Sequence, residues 1–219
     1  MLHLNRFQQH QCYLEPTCEY VCVSCDLATQ SEPLSKSIQS AKPGDIVNIY
    51  GGNPYLNSHF LSSLKVAKHK KLKIRLWTNH FINDMPLNEL NYFIDELVIW
   101  CPSPIKTDFN EFCGRLYFDW FYSALKKLKG RCTVSFLVRP LTFECLPEFY
   151  DLVIESHSKG LILYYPNEFS KEQRRYIKRF KKVPQMRVVP VKNINTSHCL
   201  GVPNSIGTFE FEWHDWVHA

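Results

Sequence analysis

Short apolar runs alternate along this chain with longer stretches whose apolar positions recur every three or four residues. Residues 46–50, 73–77, 97–100, 133–138 and 161–165 form the short runs. Runs of that length and apolarity suit strands of a parallel sheet, buried on both faces. Residues 11–15 predict an earlier strand and residues 187–191 a later one. Between the runs, Leu56, Phe60, Leu64 and Ala67 fall on one helical face. So do Phe118, Phe121, Leu125 and Leu128, and again Leu146, Phe149 (or Tyr150) and Val153. A further helix is predicted to start at Ser170, with Gln173 three residues on completing a capping box. Its apolar stripe is Tyr176, Ile177 and Phe180.

Strand and helix repeated in this order predict an α/β fold built on a parallel sheet. A closed eight-unit barrel typically needs ~250 residues. In 219 residues about six units fit, so the expectation is a partial (βα)6-type TIM barrel. Residues 208–213 alternate like a strand and predict a short C-terminal β extension. No linker rich in Gly, Ser or Pro divides the chain. The expected division is a core over residues 1–166 and a C-terminal helix with β extension over 167–219, closing the partial barrel.

Composition narrows the class. Hydrophobic residues make up 45% and charged residues 21%, a globular balance that argues against disorder. No apolar run approaches the ~18 residues of a membrane-crossing helix. The first 30 residues are interrupted by polar positions and hold no continuous apolar h-region, so a cytoplasmic protein is expected. The net charge of +5 permits an anionic substrate, and nucleic acid is not an expected partner.

Nine cysteines in such a chain need a chemical reason. Their odd number and uneven spacing do not resemble a disulfide framework. Cys18, Cys22 and Cys25 form a CxxxCxxC run directly after the first predicted strand. Three thiolates at this spacing can wrap one face of an iron–sulfur cube, leaving one iron open to a small chelating molecule. Zinc is the competing reading, with His10 or Cys12 as a fourth ligand, because structural zinc sites want four. The scattered Cys113, Cys132, Cys145 and Cys199 read as core residues. The seven basic residues between positions 171 and 182 read as the solvated face of a helix.

Further motifs follow the cysteines in order. Gly51-Gly52-Asn53-Pro54 ends the second predicted strand, and Trp77-Thr78-Asn79 ends the third. Residues 97–114 form a strand and a loop ending in Gly114. Arg139 closes the fifth strand, and Lys159-Gly160-Leu161-Ile162 opens the sixth. Over roughly residues 10 to 166 this order resembles the radical S-adenosylmethionine (radical SAM) superfamily. The Gly-Gly-Asn-Pro turn is similar to the family's Gly-Gly-Glu-Pro turn, which holds the amino group of SAM, and Thr78-Asn79 is similar to its Thr-Asn-Gly ending. The sequence departs from the pattern at three places. Ser24 stands where an aromatic residue usually precedes the third Cys, Asn53 replaces the common Glu, and Cys101 falls near a usual Ser.

The resemblance implies a definite chemistry. Cys18, Cys22 and Cys25, in a loop spanning residues 18–25, would bind a 4Fe–4S cluster. SAM would chelate its fourth iron and contact Gly51, Gly52, Asn53, Pro54, Asn79, Ser103 and Arg139. One-electron reduction, by a partner such as flavodoxin or ferredoxin, would cleave SAM and give a 5′-deoxyadenosyl radical. That radical would abstract hydrogen from a substrate the motifs do not identify: a small molecule, a peptide or a partner protein. Tyr50, Trp77, Asn79, Trp100, Arg139 and Tyr164 are expected around that substrate, at the strand ends. Trp213 and Trp216 are placed late enough either to cover the open side of the barrel or to form a packing plug. Two other readings remain: a non-catalytic metal-binding or nucleic-acid-binding module with a structural Cys cluster, and a degenerate radical SAM fold marked by Ser24 and Asn53.

Overall fold

The computed structural model of the chain describes residues 8–13, 34–51, 53–78, 92–138, 142–166, 169–180 and 186–191. In chain order the elements are β1 (Gln9–Tyr13), α1 (Leu34–Ser40), β2 (Ile46–Gly51), a 3-10 turn (Pro54–Leu56) and α2 (Phe60–His69). Then follow β3 (Lys73–Thr78), β4 (Glu96–Trp100), α3 (Lys106–Cys113), α4 (Phe118–Leu128) and β5 (Cys132–Leu137). The last are α5 (Leu146–Glu155), β6 (Gly160–Pro166), α6 (Lys171–Arg179) and β7 (Met186–Val191).

The seven strands among the described residues lie in one sheet in sequential order, and every neighbouring pair is parallel. Among the described residues no pairing joins β1 to β7, so the barrel is open. The partial parallel barrel expected from the sequence is what the chain forms, and β7 continues the same sheet beyond the sixth strand. The predicted β extension at 208–213 lies outside the described residues.

Sequential parallel strands need right-handed crossovers, which put every crossover helix on one side of the sheet. Phe136 of β5 stacks on Phe149 of α5 on that side. Phe60, Phe121 and Phe149, from three helices, are fully buried. Each such side chain stabilises the fold by about 1.5–3 kcal/mol relative to exposure.

The opposite side is concave. Trp77 of β3 and Tyr164 of β6 have ring centroids 6.3 Å apart, although two strands separate them. In a flat sheet such strands lie roughly 14 Å apart, so the sheet must curl to bring the rings together.

Local chemistry sets several boundaries. β1 begins two residues earlier than the apolar pattern suggests. Asp45 accepts hydrogen bonds from the Gln8 N–H at 3.0 Å and from His10 Nε2 at 3.0 Å, which pins the strand start beside β2. α2 starts at Phe60 rather than near Leu56, because the Asn53 side chain caps a separate 3-10 turn ahead of it. At α6 the expected capping box between Ser170 and Gln173 forms in both directions. Along that helix Ile177 is buried, while Lys171, Arg175, Lys178 and Arg179 are exposed, as a solvated basic face requires.

Candidate functional site

Alternate residues of each strand face the concave side. Asn48, Arg75 and Glu96 occupy one cross-strand row. Arg75 Nε donates to Glu96 Oε2 at 2.5 Å, and its Nη1 donates to Asn48 Oδ1 at 3.4 Å. Both partners of the ion pair are buried, at 7% and 9% side-chain exposure. This row is the charged floor of the concave face.

Above it, toward the C-terminal strand ends, runs the row Tyr50, Trp77, Val98 and Thr133. Tyr50 and Trp77 stack with centroids 5.7 Å apart, and Tyr164 meets Trp77 from the far wall. Burial holds the Tyr164 phenol well above its ordinary pKa. The charges of Arg75 and Arg187 pull it down, and that of Glu96 pushes it further up. Three strands therefore send charged groups toward one tyrosine. Trp100 and Ser135 are direct partners in the next row, and Phe112 of α3 packs edge-on against Trp100 at 5.2 Å.

Trp77 Nε1, Trp100 Nε1, Thr133 Oγ1 and Ser135 Oγ are buried with no hydrogen-bond partner among the described residues. All four lie on the concave side, on three consecutive strands. An unsatisfied buried polar group costs about 1–3 kcal/mol, and native proteins hold few of them. Four on one wall mark a surface that takes a polar occupant, a ligand or ordered water.

Four of the residues that the sequence singles out for a cofactor, Gly51, Asn53, Pro54 and Ser103, stand at the rim. Gly51 is the last residue of β2, opposite Thr78. Asn53, buried, accepts the Tyr55 N–H on its side-chain oxygen at 3.1 Å. That bond stabilises the turn which Pro54 opens. An Asn can serve this capping role, so the departure from Glu has a local physical use. Ser103, buried in the loop after β4, accepts the Ile105 N–H at 3.1 Å and keeps its own O–H to donate. The Gly114 expected at the end of that loop is the C-cap of α3, in the left-handed conformation at φ 68°. Gly51, Asn53, Pro54 and Ser103 thus share the C-terminal edge of the sheet. Gly52, Asn79, Arg139 and the three cysteines Cys18, Cys22 and Cys25 lie outside the described residues.

The remaining described cysteines are core residues. Cys12, Cys101, Cys113, Cys132 and Cys145 form no disulfide and are buried. Cys12 Sγ donates to the Asn48 carbonyl at 3.4 Å, and His10 is taken by Asp45 near the N-terminal strand ends. Burial pushes the Cys132 thiol up to about 12, though Ser158 pulls it the other way. A thiol so protonated at neutral pH is a poor metal ligand. Among the described residues no group of three His, Cys, Asp or Glu is placed to hold a metal. No helix there is long and apolar enough to cross a membrane.

For the cofactors implied by the motifs, the described residues offer a partial fit. Backbone and hydroxyl groups gather on one sheet edge, over a concave wall with unsatisfied donors. Those features suit a polar small molecule across the strand ends. Sequence reasoning missed Asn48, Arg75, Glu96, Thr133 and Ser135. The signal was available as polar residues at alternate positions within or beside the apolar runs.

Solved structures share the architecture. The crystal structure of Streptococcus suis SuiB matches with a TM-score of 0.63 at 16% identity, covering 85% of this chain and 50% of that one. SuiB bound to S-adenosylmethionine matches at 0.64 and 16%, covering 84% and 48%. SuiB bound to the precursor peptide SuiA matches at 0.63 and 16%, covering 84% and 49%. At this identity the likeness is one of fold. The chain spans about half the length of the SuiB chains it matches. No protein-family model and no curated protein sequence matches it.

Proposed function

We propose that the chain is a radical SAM enzyme. One conjunction carries this reading: a CxxxCxxC motif that follows β1 in the sequence, in a chain that forms an open parallel barrel whose concave wall is lined with unsatisfied polar groups. That SuiB, with the same fold, binds S-adenosylmethionine supports it. Cys18, Cys22 and Cys25 would hold a 4Fe–4S cluster. The turn from Gly51 to Pro54, with Ser103, Asn79 and Arg139, would hold SAM beside it. When bound, the two cofactors would supply a one-electron route to hydrogen-atom abstraction.

The chain's own residues do the rest. Tyr50, Trp77 and Tyr164 form an aromatic cage that excludes water from the reacting hydrogen. The Arg75–Glu96 pair closes the floor beneath it. The core would span residues 1–166, with 167–219 completing the open side. Electrons would come from a small reductant such as flavodoxin or ferredoxin, and the setting would be cytoplasmic.

Anaerobic reconstitution with iron and sulfide tests the proposal. A brown protein is expected, with about four irons per chain and an electron-spin signal that changes when SAM is added. Colourless protein that keeps stoichiometric zinc and assembles no cluster would defeat it.

A further inference from the structure

We propose that the concave wall recognises an uncharged amide, the side-chain carboxamide or peptide bond of a substrate, through Trp100 and Ser135 with Trp77 and Thr133 beside them. The radical SAM reading enters only in naming the occupant a substrate. Trp100 and Ser135 are register partners on adjacent strands, so their side chains stand about 5 Å apart at the base. The Trp100 indole is donor only, whereas the Ser135 hydroxyl both donates and accepts. Both are buried, at 3% and 0% exposure, and their polar atoms lack partners among the described residues.

An amide matches that pair. Its carbonyl accepts the indole N–H, and its own N–H donates to the hydroxyl oxygen. Trp77 Nε1 and Thr133 Oγ1, one row below, offer the same two chemistries to a second amide or a bound water.

Charge argues for a neutral group. An anion buried here needs a cation, and the Arg75 guanidinium is held by Glu96 and Asn48. A buried cation needs a carboxylate, and Glu96 is held by Arg75. Arg187 of β7 is half-buried and its field reaches Tyr164, which makes an anionic probe the critical control. Unpaired neutral donors and acceptors are satisfied at least cost by a neutral group.

Calorimetric titration of the full chain, without SAM or reductant, tests this with three probes on one skeleton. They are neutral N-acetylglycinamide, anionic N-acetylglycine and cationic glycinamide. The neutral probe should bind saturably and more tightly than either charged one. Trp100→Phe and Ser135→Ala should each weaken it at least about fivefold, the worth of one hydrogen bond. Trp100→Phe keeps a ring in place; if it does not fold, Ser135→Ala, which removes a single oxygen, decides alone. Equal or tighter binding of a charged probe, binding of none of the three, or wild-type affinity in the folded variants overturns the proposal. Amide binding in a chain that cannot cleave SAM would overturn the radical reading and leave this one standing.

Discussion

Removing the Glu96 carboxylate should be among the most damaging single changes to the concave face. Glu96→Ala removes the carboxylate half of the buried Arg75–Glu96 pair. Breaking one side of a buried pair costs about 3–5 kcal/mol. For a domain of this size each kcal/mol lowers Tm by about 2–4 °C, so a drop of about 6–20 °C is expected. The double variant Arg75→Met/Glu96→Leu should recover most of the loss, because two apolar groups replace two desolvated charges. Urea unfolding of wild type, Arg75→Met, Glu96→Leu and the double variant completes the cycle. The same change should lower the Tyr164 pKa, since Glu96 is one of the charges holding it up. Tyrosinate absorbance in an alkaline titration reads that shift. A Glu96→Ala loss within about 1 kcal/mol, the scale of an exposed pair, together with an unmoved Tyr164, would refute a buried floor.

The remaining predictions concern other parts of the molecule. Cys18→Ala, Cys22→Ala and Cys25→Ala should each abolish the iron–sulfur absorption, while Cys132→Ala should retain it and lose only packing stability in thermal melts. Gly52→Val should weaken SAM affinity in equilibrium dialysis without loss of iron, since a side chain would block close backbone approach. Arg139→Ala should weaken it less. Tyr122 donates to Glu155 Oε2 at 2.5 Å, and that bond, with burial and the Glu155 charge, raises its pKa from 10.0 to about 12. The raised value means the bond's contribution is complete below pH 10 and is lost as pH climbs toward 12. Tyr122→Phe should therefore flatten the alkaline stability profile in that window alone.

The strands were legible because parallel strands covered on both sides must be apolar at nearly every position, as Ile99 and Val134 are. Their sequential order followed from the alternation with helices such as α4, whose Phe121, Leu125 and Leu128 are all buried. α1 and α3 were not legible. Each is short, and α3 buries only Phe109 and Cys113, too few positions to establish a period. β1 was misplaced by two residues because its sequence, QHQCY, is mostly polar. Its position follows from hydrogen bonds to Asp45, a partner 35 residues from His10.

Of the candidate site, the sequence pattern placed Gly51 at a C-terminal strand end with Asn53 and Ser103 in the loops that follow, and Tyr50, Trp77, Trp100 and Tyr164 on the strands that form the concave wall. The floor was not legible. Glu96 resembles a surface charge just ahead of its apolar run and Arg75 a lone charge inside one, and only the register of β3 on β4 sets them side by side. The cysteine motif of residues 18–25 rests on its spacing and on the family resemblance, and lies outside the described residues.

The central claim is that this chain cleaves SAM reductively, and one assay tests it most directly. The reconstituted protein is incubated anaerobically with SAM and a strong one-electron reductant, and 5′-deoxyadenosine and methionine are counted by liquid chromatography. Equal amounts of both, above a no-protein control and absent from Cys22→Ala, are expected. Intact SAM beside a fully assembled cluster would contradict the account and leave a fold without the chemistry.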